Sequence, residues 1–302
     1  MIKPRILFKE LRAEFLPASV MPVLLGTAIA HLRTGVFDPV IFSLALAGIV
    51  LIHLGTNVAN DYFDHISGND PLNTQFVRPF TGGSRLIQDG LLTQRAVLII
   101  AIALFAAAVA AGAALTALRG PVVLLLGAIG LGSGFFYTAP PVNLASRGFG
   151  EVFIGLNFGV LPTAGAYYIQ TRSMSWESVV ASLPLAVLIA AVVFINEFQD
   201  MNADARTGKR TLVVRLGLSK ASKVFALFMI APFAAVLIGV AARIVPPLAL
   251  ISLAAAPFAA RAALVARAKH SSPKELAPAN ALTVVTHTLV GILLAAAYLI
   301  SR

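Results

Sequence analysis

Two short polar motifs carry the residues of this chain whose types and spacing suit metal chemistry. The first occupies residues 60–64 (NDYFD) and the second residues 196–200 (NEFQD). Both read Asn, acid, aromatic, any residue, Asp, and both follow long apolar runs, where unpaired carboxylates are costly. The repeated pattern therefore marks a candidate functional site.

Helical spacing predicts how each motif presents its side chains. Residues four positions apart share one face of an α-helix, so Asn60 aligns with Asp64. In the second motif Asn196 aligns with Asp200 and, one turn later, with Asp204. We therefore expect each motif to form a polar stripe on a helix, and we predict that the two stripes face each other.

Facing stripes would bring several carboxylates together at helix C-termini. The carboxylates would repel one another, and the negative end of the helix dipole would add to the repulsion. A cation relieves it, and carboxylate oxygens with Asn carbonyl oxygens suit Mg²⁺. The sequence therefore predicts a Mg²⁺ site. Its predicted ligands are Asn60, Asp61, Asp64, Asn196, Asp200 and Asp204.

Basic side chains lie close in sequence to both motifs. Arg and Lys beside a Mg²⁺ carboxylate site form a clamp for a polyphosphate, because the metal bridges acid to phosphate and the bases hold the outer oxygens. We therefore predict that a diphosphate binds here. The predicted diphosphate-binding residues are Arg78, Arg85, Arg147, Lys209 and Arg210.

The rest of the chain is apolar enough to cross a membrane many times. Of 302 residues, 58% are hydrophobic and 12% charged, the latter about half the share in soluble domains. Nine stretches of at least 17 residues lack Asp, Glu, Lys and Arg, and about 17 apolar residues are the least that span the hydrocarbon core. We predict one transmembrane domain over 1–302. Its predicted spans lie near 15–32, 39–60, 96–118, 120–146, 152–171, 178–196, 224–242, 244–260 and 276–301.

Basic residues are divided unequally between the two sides that nine spans define. The side of the N-terminus receives 18 Lys and Arg, and the other side 5. Because short cytoplasmic loops are enriched in these residues, we expect the N-terminus and both motifs on the cytoplasmic side. This distribution explains the net charge of +10, and without a basic block that interleaves aromatics we expect no nucleic-acid partner. The lack of cysteine excludes thiol chemistry and Cys-based zinc sites.

The motifs and their order resemble the UbiA superfamily of intramembrane aromatic prenyltransferases. Besides the two acidic motifs, the similarity includes 82–85 (GGSR), 137–141 (YTAPP), 148–151 (GFGE) and 208–212 (GKRTL). It extends over residues from about 10 to 220. Within the superfamily, 55–70 and 82–90 are most similar to enzymes that prenylate 1,4-dihydroxy-2-naphthoate on the way to menaquinone.

The resemblance implies a fold and an activity. The fold is all-α and polytopic, with nine transmembrane helices around a central cavity and a polar cap on the cytoplasmic side. The activity is Mg²⁺-dependent transfer of a polyprenyl group from an allylic diphosphate to an aromatic acceptor in a prokaryotic inner membrane. Tyr137 would border the allylic cation or the acceptor through its ring face. The implied catalytic residues are Asn60, Asp64, Asn196, Asp200 and Tyr137.

Two departures from the family pattern leave the acceptor open. Many members carry an acid where this chain has Gly68, and menaquinone-type relatives commonly carry Arg where it has Gln199. Another acceptor such as 4-hydroxybenzoate is therefore an alternative. A second alternative is an ion-coupled transporter, and the motifs would also suit a polar packing network or a proton relay. Transporter sites are expected near the bilayer midplane, whereas these acids end their spans.

Overall fold

Helices account for the ordered secondary structure, because a backbone in lipid must satisfy its hydrogen bonds within its own segment. The computed structural model describes residues 3–301 and contains no β-strand in that range, so the all-α prediction is confirmed. The helices are α1 (Pro4–Leu11), α2 (Pro17–Thr34), α3 (Pro39–Ile66), α4 (Asn69–Leu72), α5 (Gln94–Arg119), α6 (Pro121–Phe135), α7 (Gly150–Gly155), α8 (Leu161–Thr171), α9 (Trp176–Arg206), α10 (Leu212–Leu216), α11 (Leu218–Ala241), α12 (Ala256–Lys269) and α13 (Pro273–Ile300).

Eight helical stretches within residues 3–301 are long and apolar enough to cross a membrane, and the chain is an integral membrane protein. They are Ala13–Thr34, Pro39–Ile66, Gln94–Arg119, Gly150–Thr171, Trp176–Arg206, Leu218–Ala241, Pro247–Lys269 and Pro273–Ile300. Helix α6 is also apolar but has only 15 residues. It extends about 22 Å, less than the hydrocarbon core of about 30 Å. A ninth crossing stays a prediction.

The predicted span over 120–146 is wrong in its second half, because α6 ends at Phe135. Turns and a short 3-10 helix, Leu144–Arg147, follow it. Proline lacks a backbone donor and disfavours helical conformation in the preceding residue. Helix α6 therefore does not continue through Pro140 and Pro141.

The predicted span over 244–260 has the wrong boundaries. The helical stretch begins with a 3-10 segment at Pro247 and continues through α12 to Lys269. The predicted span ended just before the first charged residue, Arg261, which is exposed in the structure. A long basic side chain on an exposed helix face can extend its charge away from the apolar surface, so Arg261 does not end the helix.

Both acidic motifs lie within helices. Helix α3 continues beyond the predicted end of its span to Ile66, and α9 continues to Arg206. Helix α9 is also the most buried of the eight stretches, with 67% of its most apolar window inside the protein. Its apolar residues pack in one core with α2, α11 and α13. This packing fixes the second motif relative to three neighbouring helices.

Small residues allow the helices beside the site to pack closely, as is common where helices associate in lipid. A Cβ atom at Gly26 of α2 would overlap the carbonyl oxygen of Thr163 in α8. A Cβ atom at Gly159 would overlap the backbone of Ala186 in α9. Gly159 belongs to a π-helical turn, Leu156–Val160, between α7 and α8. Neighbouring Phe158 in this turn lines the cavity described below.

Candidate active site

A cavity with an empty volume of about 1360 Å³, including its open mouth, lies between α2, α3, α9, α13 and the stretch Gly150–Thr171. One end is highly polar and the other is mainly apolar. The polar end includes Asn60, Asp64, Asn69, Asp70, Asn73, Asn196, Glu197, Asp200, Asp204 and Lys209. The mainly apolar part includes Phe15, Ala18, Ile154, Phe158, Ile189, Val192, Val193 and Val284. The lining also contains Arg12, His53, Thr56, Asn57, His287 and Thr288.

Helix α9 contributes residues to both ends of the cavity. Asp204 and Asp200 line the polar end, and Val193 and Ile189 line the wall two to three turns earlier in the helix. The axial rise of an α-helix places Asp200 and Ile189 about 16 Å apart along the axis. The cavity is therefore deep enough to hold a charged group at one end and an extended apolar group beyond it.

The two motifs meet around Lys209. Its ammonium lies 3.3 Å from Oδ1 of Asp64 and 3.7 Å from Oδ1 of Asp204. Asn60 donates a hydrogen bond of 2.9 Å to Oδ2 of Asp64, which confirms the predicted alignment of these two residues on one helix face. Burial lowers the pKa of the Lys209 ammonium, but the carboxylates of Asp64 and Asp204 outweigh burial and raise it above its ordinary value.

Helix α4 connects the two motifs. Asn69 donates a hydrogen bond of 2.8 Å to Asp204, and Asn73 donates one of 2.6 Å to Asp200. Burial, followed by the nearby carboxylates of Asp64 and Asp61, raises the pKa of Asp70 in α4 to about 8. The segment thus ties α3 to α9 through amide donors.

Gly68 makes the turn from α3 into α4. Its φ of 80° lies in the left-handed region, which favours glycine over residues that carry a Cβ atom. A Cβ atom here would meet no neighbour within 4 Å, so conformation rather than space favours glycine. The departure from the family pattern at this position therefore has a backbone explanation.

Seven of the residues predicted from sequence line one cavity. They are Asn60, Asp64, Tyr137, Asn196, Asp200, Asp204 and Lys209. The structure does not bring the other five, Asp61, Arg78, Arg85, Arg147 and Arg210, to its lining.

Asp61 does not line the cavity, although it precedes Asp64 by three residues in the same helix. It is buried, and its Oδ2 accepts a hydrogen bond of 2.9 Å from the backbone N–H of Ser84. The Ser84 hydroxyl in turn donates a hydrogen bond of 2.7 Å to Glu10 of α1. Ser84 therefore connects α3 to the N-terminal helix α1.

The loop arginines outside the cavity have other partners. Arg78 lies 3.1 Å from Asp89, and Arg85 donates to the carbonyl oxygen of Asp70 at 2.9 Å. Arg147 donates to the carbonyl oxygen of Val142 at 2.6 Å. The side chain of Arg210 is exposed. These arginines are close in sequence to the acids, but that closeness did not predict the direction of their side chains.

Asn69, Asn73 and Arg12 are among the lining residues that the sequence did not predict. Asn69 and Asn73 follow the first motif within a short polar segment, and that polarity was the available signal. Arg12 also lines the cavity, but it lies far from both motifs in sequence, and no pattern indicated it.

The polar end of the cavity offers oxygen donors for a divalent metal. Among residues 3–301, no three His, Asp or Glu side chains are grouped closely enough to hold a metal ion, and the Lys209 ammonium lies within 4 Å of both Asp64 and Asp204. The cavity lining nevertheless contains five carboxyl groups and two basic side chains. An excess of hard oxygen donors that includes Asn side chains fits Mg²⁺. The residues present therefore fit the metal.

Several known proteins are similar to this chain in sequence. A model of the UbiA prenyltransferase family matches residues 19–284. A 1,4-dihydroxy-2-naphthoate octaprenyltransferase from Mycobacterium tuberculosis is 32% identical over 83% of this chain and 82% of its own length. A 2-carboxy-1,4-naphthoquinone phytyltransferase from Synechocystis is 28% identical over 93% of this chain and 88% of its own length.

The fold is also similar to solved structures. A UbiA homolog from Archaeoglobus fulgidus, described as bound to GPP and Mg²⁺, superposes with a TM-score of 0.61 at 15% identity. The superposition covers 96% of this chain and 99% of the homolog. At this identity the similarity establishes the fold.

Proposed function

The chain belongs to the UbiA prenyltransferase family, and on that premise we propose that it transfers a polyprenyl group from an allylic diphosphate to an aromatic acceptor. The acceptor in this proposal is 1,4-dihydroxy-2-naphthoate. The names of the relatives from Mycobacterium tuberculosis and Synechocystis both specify a naphthalene-type nucleus with a carboxyl substituent. The same names specify different prenyl groups, so they support the acceptor more strongly than the chain length.

The cavity supplies the observation that carries this proposal. Carboxylates and Lys209 line one end, and aliphatic and aromatic side chains line the other. A polyprenyl diphosphate has the same division, with a charged head and an apolar tail. Burial of the apolar tail stabilises the bound state by about 25 cal/mol for each Å² of apolar surface removed from water, while the head stays among charged groups. The polarity of the cavity thus matches the donor substrate along its length.

Divalent metal binding fits the polar end. Asp64, Asp200 and Asp204, with Asn60 and Asn196, would hold Mg²⁺. The Archaeoglobus fulgidus homolog is described as bound to this ion together with GPP. When bound, the ion supplies positive charge next to the phosphate oxygens.

The chain's own side chains bind and orient the reactants. Lys209 donates hydrogen bonds to diphosphate oxygens as negative charge develops on them, and such a positioned donor is worth about 10²–10³ in rate. The ring of Tyr137 faces the allylic carbon, where its π-face stabilises developing positive charge. Phe158 and the aliphatic wall exclude water, which would otherwise capture the cation.

The proposed reaction needs no strong base. The allylic C–O bond breaks and its electron pair leaves with the diphosphate. Ring carbon 2 of the acceptor then forms the new C–C bond. Its carboxylate departs as CO₂, and the electron pair of the broken C–C bond restores the aromatic ring. The residues of the cavity therefore have to bind and orient, but they do not have to remove a proton from carbon.

We also propose that the chain forms one domain that crosses the membrane nine times, with the polar end of the cavity on the cytoplasmic side. Its support is the division of 18 Lys and Arg against 5 between the two sets of loops. In this arrangement α6 crosses with help from local thinning of the bilayer or from neighbouring helices, as short apolar segments do.

A direct assay tests the proposed function. Purified protein in liposomes receives Mg²⁺, a labelled polyprenyl diphosphate, and either 1,4-dihydroxy-2-naphthoate or 4-hydroxybenzoate. We expect diphosphate release together with a labelled naphthol product, and at least tenfold less product from 4-hydroxybenzoate. A preference for 4-hydroxybenzoate would contradict the acceptor assignment. Absence of product and of diphosphate release with both acceptors would contradict the enzyme assignment.

A further inference from the structure

Arg12 is a basic residue of the cavity lining. Its Nε is buried and has no hydrogen-bond partner among residues 3–301. Across residues 3–301 its side chain takes part in none of the salt bridges. Lys209, the other basic residue of the lining, is paired with Asp64 and Asp204. A desolvated donor without an acceptor is unfavourable, so the arrangement favours an anionic ligand.

Contacts of the two residues before Arg12 hold its backbone in place. Glu10 is fully buried and accepts a hydrogen bond from Ser84. The Leu11 carbonyl accepts a hydrogen bond of 3.3 Å from Asn57 of α3. Arg12 itself is left-handed, with φ 51° and ψ 46°, a conformation that is unfavourable for a residue with a Cβ atom. The surrounding contacts therefore maintain a strained backbone that directs this side chain to the cavity.

An aromatic ring adjoins the guanidinium. The Arg12 guanidinium carbon lies 5.3 Å from the ring centre of Phe15. Phe15 in turn meets Phe80 edge to face, with their ring centres 6.5 Å apart, and both rings line the cavity. A planar fork of donors beside an aromatic ring, with a second ring next to it, suits an aromatic carboxylate, because guanidinium groups bind carboxylates bidentately and rings pack against rings.

Arg12 is also distinct from the residues that would hold the diphosphate. It is anchored beside Asn57, which precedes Asp64 by seven residues, or about 10 Å along α3. Lys209, Asp200 and Asp204 come from α9 and the segment after it, whereas Arg12 comes from the segment between α1 and α2. The two cations thus come from different segments of the chain.

From these contacts we infer that Arg12 binds the carboxylate of the aromatic acceptor and selects for acceptors that carry one. This inference rests on the proposed function and names its recognition element. The carboxylate contact forms in the bound acceptor and is not strengthened as the allylic C–O bond breaks. Its loss therefore raises the KM for the acceptor and leaves kcat nearly unchanged.

Steady-state kinetics test the inference with Arg12→Gln, Arg12→Lys and a matched control, Arg5→Gln. Arg5 is an exposed residue of α1, so the control removes one positive charge from the helix that precedes Arg12, outside the cavity. For Arg12→Gln we expect the acceptor KM to rise about tenfold or more, the loss expected for a charge-assisted hydrogen bond. The KM for polyprenyl diphosphate and kcat should stay within threefold, and Arg12→Lys should lie between wild type and Arg12→Gln.

An acceptor without the carboxylate separates recognition from folding. We expect 1,4-dihydroxynaphthalene, used as a competitive inhibitor of acceptor binding, to give the same inhibition constant with wild type and Arg12→Gln. An increase confined to the KM for the diphosphate would mean that Arg12 serves the donor and would overturn the inference. An unchanged acceptor KM in an active variant would overturn it as well. If wild type neither prenylates nor binds the acceptor, the proposed function fails together with the inference.

Discussion

Gln199 and Asn280 donate hydrogen bonds to each other across the interface of α9 and α13, at 3.0 and 3.1 Å. Gln199 also donates to the carbonyl oxygen of Pro273, and it is 1% exposed. It does not line the cavity. Gln199 therefore contributes to the packing of two helices rather than to a contact in the cavity. Asn280 extends this connection to the site, because it donates a hydrogen bond of 2.7 Å to Asn196.

Removing this pair should affect stability more than chemistry. For Gln199→Leu we expect a loss of about 1–2 kcal/mol in the free energy of unfolding, because the variant leaves buried Asn280 groups without partners. The double variant Gln199→Leu with Asn280→Leu should lose less than the sum of the single variants. Denaturation in detergent, with activity measured well below the unfolding midpoint, checks both statements. Strict additivity would contradict the pairing.

Lys209 and Arg147 should differ sharply as contributors to diphosphate binding. Lys209 contacts the carboxylates of the cavity, whereas Arg147 donates to backbone carbonyls of its own loop. We expect Lys209→Met to lower kcat/KM for the diphosphate about 100-fold and Arg147→Gln to lower it less than threefold. Gel filtration of each variant before the assay controls for folding. Equal effects at the two positions would contradict the placement of the diphosphate.

Glu10 should make stability depend on pH. Burial, with a smaller contribution from Asp61, raises the pKa of Glu10 from 4.5 to about 7. The folded protein therefore keeps this proton while the unfolded chain loses it, and the associated stability is present below pH 4.5 and lost as the pH rises to about 7. We expect the unfolding midpoint of wild type to fall relative to that of Glu10→Gln over this range and to run parallel above it. Parallel curves from pH 4 to 8 would contradict the burial of this carboxyl group.

Close packing beside the cavity gives a further prediction for Gly159. A Cβ atom at Gly159 would overlap the Ala186 backbone, whereas one at Gly112 of α5 would have no neighbour within 4 Å. We expect Gly159→Ala to destabilise the protein by about 1–3 kcal/mol through overpacking. Gly112→Ala should be neutral or stabilising by up to about 1 kcal/mol. Thermal unfolding of the two variants side by side makes the comparison, and equal midpoints would show that α9 accommodates the extra methyl group.

The sequence predicted the parts of the site that follow from helical periodicity. Asn60 and Asp64 share a helix face, and Asp200 and Asp204 of the second helix reach the same cavity. It failed where side-chain direction depends on tertiary contacts. Asp61 turns to the Ser84 backbone.

The ends of some helices and the contacts of distant segments could not be predicted from the sequence, for related reasons. A charge ended the predicted span at Arg261, although an exposed arginine continues the helix there. Helix α6 ends at Phe135, before Pro140 and Pro141, whereas the lack of charged residues had predicted a span that continues to residue 146. Arg12 reaches the cavity from a segment in which Glu10 and the Leu11 carbonyl are bound by Ser84 and Asn57. Contacts between residues so far apart in sequence leave no local pattern.

The rate of prenyl transfer to 1,4-dihydroxy-2-naphthoate, compared between wild type and Asp64→Asn, tests the central claim most directly. Each protein receives Mg²⁺ or EDTA with a labelled polyprenyl diphosphate, and the prenylated product is quantified. We expect wild type to form product with Mg²⁺ and none with EDTA, and Asp64→Asn to be slower by about 100-fold or more. Equal rates in Asp64→Asn and wild type, or a wild-type rate that does not depend on Mg²⁺, would contradict the account.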